Sequence, residues 1–365
     1  MNQLITVVIP NYNGMKYLKG CLDSLLQGTV IPKIIVVDNG STDGSCELIR
    51  KEYERDLEPR EAPVTLLALR SNTGFCHAVN AGIHLTSTPY VVLLNNDITV
   101  DSHCIENLHR AIVSHPRAFS VQAKMLSMQD PDVIDDAGDL YCALGWGFAV
   151  GKGKKAERYS REREIFSACA GAAIYRMSAF EEIGLFDERH FCYLEDVDIG
   201  YRAQIYGYRN YFEPEALVYH AGSATTGSRY NPFKEEMTPG NNACVLYKNM
   251  PALQYVFNWP LIRLGVAVKR AYFRKKGLSA AYESGIVRGV VLRQRIRELT
   301  YDRKYDFPYP KQSLKEESCL QEHDELDTVY PMYLAGKVPF RLRHLPNYLR
   351  IQGFLWINTV RRLTE

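Results

Sequence analysis

The chain has 365 residues, 46% of them hydrophobic and 24% charged, with a formal net charge of +2. Those values exclude a disordered or collagen-like chain and give no charge bias toward nucleic acid, while the length suits one large domain with an appendage, or two domains. Nine cysteines (Cys21, Cys46, Cys76, Cys104, Cys142, Cys169, Cys192, Cys244 and Cys319) form no C-x-x-C pair and no zinc-finger spacing, so reduced thiols in a cytoplasmic compartment are expected.

"LITVVIP" (4–10) is a short β-branched run at the start of the chain, with no legible leader before it. It is followed by "MKYLKGCLDSLLQ", where Tyr17, Leu18, Cys21, Leu22, Leu25 and Leu26 recur at helical spacing. "KIIVVD" (33–38), "VTLLAL" (64–69) and "YVVLL" (90–94) predict three more buried strands. "STDGSCELIRKEY", with a Ser/Thr/Asp start, and "GFCHAVNAGIHL" (74–85) predict the helices between them. Strands apolar throughout and alternating with helices specify an α/β fold with a parallel sheet covered on both faces.

In such sheets a ligand sits beyond the carboxyl ends of the strands. Here those ends carry Pro10, Asn11, Tyr12, Asn13 and Gly14; Asp38, Asn39 and Gly40; Asn72 and Gly74; and Asn95, Asn96 and Asp97. Turns alone would use such residues. Two of the four ends also carry a carboxylate on the same edge of one sheet, which favours a shared polar site.

From about 119 to 165 the alternation stops. "DDAGDLYCALGWGFAVGKGKK" reads as a long Gly-rich loop, and its G-x-G spacings follow no strand. "FSACAGAAIYRMSAFEEIGLFDE" (166–188) predicts a strand, a helix from Ser178 and a turn at Gly184; Glu195 to Tyr206 predicts a helix ending at Gly207, and "ALVYH" a last short strand ending at His220. Between 261 and 305 twelve Lys/Arg face three acids, a net of +9, interleaved with apolar residues. Pro260 and the glycines at 265, 277, 285 and 289 predict two or three short helices there. Residues 306–325 are polar, and 338–363 are basic and amphipathic. The division expected is 1–239, 240–305 and 306–365. No run of about 18 apolar residues predicts a membrane span.

"VVIPNYNG", "IIVVDNGSTDGS", "RSNTGFCHAVNAGI", "VVLLNNDITV" and "YLEDVDIGYRAQIYGYR…ALVYH", in that order over roughly residues 4–250, resemble the inverting, nucleotide-sugar-dependent glycosyltransferases of family 2, with the GT-A fold. "GWGF", "GLFDE" and "ATTGS" resemble its rhamnosyltransferase-like branch. The resemblance implies a GT-A domain, with the C-terminal region as a helical extension. It implies Mg²⁺ or Mn²⁺ on Asp97, with His220 as second ligand, to neutralise a departing diphosphate. Asp38 would accept the pyrimidine N3–H, which UDP and dTDP share, and Pro10, Asn11 and Tyr12 would line base and ribose. Asn95 and Asn96 belong to the same nucleotide-sugar side. Asn72, Gly74 and Asn80 would shape the cleft, although a helix start and a buried amide account for them nearly as well.

The aspartate of "ED" implies Asp196 as the base that takes the acceptor hydroxyl's proton, with Glu195 orienting it or the sugar. Asp198 reads as a helix-surface acid or a salt-bridge partner for Arg202. One departure stands out. Where relatives carry an Arg-Asn pair near residue 240, this chain has "TPGNNA", so no arginine contact is expected there.

The partners implied are a dTDP- or UDP-linked sugar, with L-rhamnose as the candidate, and a saccharide acceptor carried on lipid; no nucleic-acid module is present. A basic extension of this composition suits the cytoplasmic membrane face, a packed bundle or a homodimer interface. The competing function is a catalytically idle relative that binds nucleotide sugar or glycan as an assembly partner; the retained Asp97, Asp196 and His220 argue against it. A nucleotidyltransferase lacks support, since no glycine- and arginine-rich loop follows the first strand.

Overall fold

The computed structural model describes residues 4–53, 63–222, 231–301 and 332–364. The motif at 224–228 and the polar stretch 306–325 lie outside them. Strands β1 (Ile5–Asn11), β2 (Lys33–Asp38), β3 (Val64–Ala68) and β4 (Tyr90–Leu94) alternate with helices α1 (Met15–Leu26), α2 (Ser45–Glu52) and α3 (Phe75–Leu85). The strands lie parallel in the order β4-β1-β2-β3. Their uniformly apolar sequences follow from burial on both faces. Ile5, Val7 and Ile9 enter one core with Leu18 and Leu22 of α1, while Val8 enters the opposite core with Ala78 and Val79 of α3. The expected Ser/Thr/Asp start of α2 lies in the preceding loop instead. Asp43 there accepts from Met15 N at 2.8 Å, and the helix begins after Gly44, whose φ is +90°.

The segment expected as a loop from 119 to 165 is largely structured. Following β5 (Ile98–Val100) and α4 (Cys104–Ser114), it holds β6 (Ala118–Ser127), β7 (Ile134–Asp136), the hairpin β8 (Asp139–Cys142) and β9 (Trp146–Ala149), and β10 (Arg163–Ile165). β6 lies inside the sheet, between antiparallel β11 (Ala172–Arg176) and parallel β12 (Arg209–His220). Its buried polar residues hide it from a hydrophobic pattern. Ser120 Oγ bonds Asn210 Oδ1 at 2.8 Å, and Gln122 Nε2 donates to Asp136 Oδ1 at 2.9 Å. The last strand has twelve residues rather than five, with a register shift between Glu213 and Leu217.

After α5 (Met177–Ile183) and α6 (Glu195–Ile205), the C-terminal part forms α7 (Pro232–Asn249), α8 (Ala252–Lys275), α9 (Ser279–Tyr301) and α10 (Leu345–Thr364). Residue 239 falls inside α7. Pro260 and three of the four glycines do not break helices as expected; α8 and α9 are long and part near Gly277, whose φ is +73°. At Gly285 a Cβ would lie 2.3 Å from the Glu236 carbonyl oxygen, so this glycine lets α9 lie directly on α7. A third core joins Tyr141, Phe166 and Tyr201 to Leu246, Ile262 and Leu355, which fixes α7, α8 and α10 on the sheet domain. No helix among the described residues is long and apolar enough to cross a membrane.

Candidate active site

The β1–β2 register places Asn11 beside Asp38 at the carboxyl edge of the sheet. Asn11 Nδ2 donates to Asp38 Oδ2 at 2.7 Å, and Asn96 Nδ2 donates to Asn11 Oδ1 at 2.6 Å. All three are buried, and their side chains link the ends of β4, β1 and β2. Gly14 packs against this chain, since a Cβ there would sit 1.9 Å from Asn96 Nδ2. Pro10 is half-buried and Tyr12 exposed beside it. Asn95 donates its backbone N–H to Gly171 O at 2.8 Å. Asn72 Oδ1 accepts from Asn39 Nδ2 at 3.1 Å and from Gly74 N at 3.0 Å, which shapes the entry to α3. Asn80 lies in the interior. Its amide donates to Phe186 O and Glu188 Oε1, both at 2.8 Å, and accepts from Phe186 N, the buried-amide arrangement.

β12 pairs antiparallel with β5, and His220 lies opposite Ile98. The imidazole therefore meets the end of β4: His220 Nε2 is 3.3 Å from Asp97 Oδ1. Its Nδ1 is 2.8 Å from Asp135 Oδ2, a residue the sequence reading did not single out. Burial disfavours the imidazolium, but hydrogen bonds with Asp135 and Asp97 outweigh it and hold His220 at about 9. The two carboxylates flank the imidazole on opposite ring nitrogens, so a divalent cation such as Mg²⁺ or Mn²⁺ on Asp97 and Nε2 would take the place of the Nε2 proton, with Asp135 orienting the ring through Nδ1. A second acidic group, Asp187, His190 and Asp198, is filled by an ammonium. Lys248 Nζ lies 2.8 Å from Asp198 Oδ2 and also bonds Asp187, while Arg202 pairs with Asp198 at 3.2 Å. Asp198 is thus fully buried, not on the helix surface; its pairing with Arg202 is present.

Glu195, Asp196 and Asp198 occupy the first turn of α6. Burial pushes the Glu195 and Asp196 carboxyls up, and a hydrogen bond with Asp139 draws Asp196 back down. Asp139 itself is pushed far above the carboxylate range, first by burial and then by Asp196, so it carries the proton of the pair. Asp135 and Asp139 belong to one short segment, "DDAGD", that reaches His220 at one end and Asp196 at the other. Gly138 turns it with φ +115°, at a position where a Cβ would lie 2.5 Å from Ile165 Cγ2. The available signal was three acids in five residues around a glycine.

The family model for glycosyl transferase family 2 matches residues 6–184. The chain carries a family 2 glycosyltransferase domain. Over 251 residues, 62% of this chain and 79% of the other, it is 28% identical to an N-acetylglucosaminyl-diphospho-decaprenol L-rhamnosyltransferase of Mycobacterium tuberculosis. Among solved structures, GalNAc-T7 with UDP, GalNAc and Mn²⁺ superposes with a TM-score of 0.55 at 16% identity, over 67% of this chain and 48% of that one. S. aureus TarS 1–349 in complex with UDP-GlcNAc gives 0.51 at 17% identity, over 76% and 75%. These likenesses show the fold, a GT-A sheet with helices on both sides, to which this glycosyltransferase adds C-terminal helices.

The loop before α6 in the glycosyltransferase is strained. Phe191, Tyr193 and Leu194 all have positive φ, at 59°, 72° and 63°. Asn241 Nδ2 holds it, donating to His190 O, Cys192 O and Tyr193 O at 2.8–2.9 Å. Asn241 Oδ1 accepts from Arg288 Nη1 at 2.7 Å, and Arg288 Nη2 donates to Arg189 O at 2.8 Å. An arginine contact therefore does exist beside Asn241, contrary to the expectation from "TPGNNA". It comes from α9, and Gly240 makes room for it, since a Cβ there would lie 2.7 Å from Arg288 Nη1.

Proposed function

We propose that the protein is a metal-dependent, inverting hexosyltransferase that moves a sugar, L-rhamnose first among candidates, from a dTDP- or UDP-linked donor to a lipid-linked saccharide in bacterial surface-polysaccharide synthesis. The carrying observation is the convergence of Asp97, Asp135 and His220 beside the Asn96–Asn11–Asp38 chain, with "DDAGD" leading from there to Asp196. Asp38, with Pro10, Asn11 and Tyr12, would take the base and ribose; Asn72, Gly74, Asn95 and Asn96 would border the sugar. A cation on Asp97 and His220 Nε2, with Asp135 orienting the imidazole through Nδ1, would supply positive charge against the diphosphate.

Asp196 would accept the acceptor hydroxyl's proton while its oxygen attacks the anomeric carbon opposite the diphosphate, which gives inversion without a covalent intermediate. A carboxylate whose pKa is raised toward working pH suits that task. Asp139 and Glu195 would position it. The relative's decaprenol-linked acceptor supports a lipid-linked saccharide here. Exposed Leu253, Phe257, Trp356 and Val360 among the basic C-terminal helices support peripheral binding at the cytoplasmic membrane face. The basic extension would stand apart from the catalytic unit in sequence and work through it, since Arg288 of α9 braces the loop before α6.

The test offers dTDP-rhamnose and a panel of UDP-sugars, with Mn²⁺ and with EDTA, to an N-acetylglucosaminyl-diphospho-lipid, and reads the anomeric configuration of the product by NMR. Inverted product from one donor is expected. Donor binding with neither hydrolysis nor transfer across the panel would leave a binding role in its place.

A further inference from the structure

The geometry points to a binding site for an anionic polyprenyl lipid, a polyprenyl diphosphate, in the cavity enclosed by α7, α8, α9 and the β8–β9 hairpin. The inference rests on the reading of the acceptor as lipid-linked and assigns where its lipid part is held. The cavity measures about 470 Å³, within the roughly 300–1,000 Å³ of small-molecule sites. Leu246 of α7 and Met250 just after it, Ile262 and Val266 of α8, and Ile286 and Val290 of α9 wall it. Lys269, Arg293 and Lys337 also line it, and among the described residues no aspartate or glutamate does. An apolar chamber whose charged groups are all cationic selects an amphiphile with an anionic head and rejects neutral sugars and cationic ligands.

Lys269 strengthens the argument. Its ammonium lies 5.7 Å from the Trp146 ring centroid, and burial pushes its pKa down to about 8, the mark of a cation held without enough counter-charge. Glu235 attracts it but makes no ion pair with it, and that attraction does not offset the burial. A bound diphosphate would supply that charge.

The two ends of the cavity fit the two ends of such a ligand. Leu194, the residue before Glu195, lines one part together with Gly147, where a Cβ would come 2.9 Å from Leu194 Cδ2. A head group there lies against the loop that enters α6. Val256 also lines the cavity and is 68% exposed, next to Leu253 at 84% and Phe257 at 58%. A chain longer than the cavity therefore leaves it across apolar surface, the path a polyprenyl tail needs.

Binding is measured on the full chain by tryptophan fluorescence, in EDTA and without sugar donor, so that it does not depend on transfer. The probes are geranylgeranyl diphosphate, geranylgeraniol and inorganic pyrophosphate. The diphosphate lipid is expected to bind at least tenfold more tightly than either half alone. Lys269→Met should weaken it about tenfold and leave geranylgeraniol unchanged. Val290→Glu, at a position 53% exposed and so outside the packed core, should weaken both lipids. Donor binding should be the same in both variants. No saturable binding, equal competition by dodecyl maltoside, or unchanged affinity in both variants would overturn the site. Sugar transfer to a lipid acceptor is assayed separately. Its failure with geranylgeranyl diphosphate binding intact overturns the functional reading alone, and transfer without lipid binding overturns the cavity assignment alone.

Discussion

Arg288 Nη1 stands 2.7 Å from Asn241 Oδ1, and through that contact a helix 47 residues further along the chain braces the loop that delivers Glu195 and Asp196. The Asn241 amide is saturated by the guanidinium on one side and three loop carbonyls on the other. Positive φ at three non-glycine residues costs of order 1–3 kcal/mol each, so the loop keeps its shape only while that brace holds. Arg288→Met is expected to lower kcat about tenfold with donor KM near its starting value, and Arg288→Lys to recover part of the loss. Steady-state kinetics across the three proteins check this. A parallel fall in kcat and rise in KM, with no recovery in the lysine variant, would mark general unfolding of the site instead.

Metal removal should silence the enzyme. EDTA is expected to abolish transfer, Mn²⁺ or Mg²⁺ to restore it, and Asp97→Ala to stay inactive with metal present and to bind the donor weakly. Calorimetry of nucleotide-sugar binding with and without Mn²⁺ reads both effects. Near-native turnover in Asp97→Ala would remove Asp97 from the cation site.

Asp196→Asn keeps the shape of the side chain but cannot accept a proton, so turnover should fall by about 10² or more with donor affinity retained. The acid limb of the kcat/KM profile should lie above the ordinary aspartate range, because burial raises Asp196, with Glu195 and Asp139 as its charged or titrating neighbours. Asp139→Ala removes the hydrogen bond that holds the pKa down, so the limb should move to higher pH. A shift to lower pH would mean that the proton rests on Asp196 rather than on Asp139.

Lys248 is fully buried between Asp187 and Asp198. Its loss leaves carboxylates short of charge, so Lys248→Met should cost about 3–5 kcal/mol in urea unfolding. Burial alone would raise Asp198, but Lys248 and Arg202 hold it down at about 2, below its unfolded value of about 4. The stability this provides is complete above pH 4 or so and declines as pH falls toward 2. Wild type should therefore lose stability over that window more steeply than Lys248→Met. Parallel curves would show that the network does not set acid stability.

Anionic vesicles should retain the full chain at low salt and release it as ionic strength rises, since the basic residues supply part of the attraction. Leu253→Glu with Phe257→Glu, both exposed on α8, should cut retention several-fold without lowering the thermal midpoint. Equal sedimentation of the variant and wild type would place these side chains away from the lipid.

The four parallel strands and the polar residues at their carboxyl ends were legible in the sequence. Both follow from local rules: a strand covered on two faces must be apolar along its length, and the chain turns polar where the strand leaves the core. That was enough to bring Asp38 and Asp97 forward as candidates; His220 came forward only through the resemblance to family 2, and the structure places it in contact with Asp97. The glycines of α8 and α9 show the limit of local rules. A glycine reads as a break in one sequence, yet Gly285 serves a neighbouring helix that the sequence does not reveal.

β6, Asp135, Asp139 and Arg288 were decided by tertiary structure alone. β6 carries Ser120 and Gln122 into the interior because Asn210 and Asp136 receive them there. Asp135 gains its place through His220, 85 residues away, and Arg288 through the space that Gly240 leaves open. Periodicity records how deeply a residue is buried. It does not record which distant group shares the interior with it, and for a buried charge or amide that partner decides what the residue does.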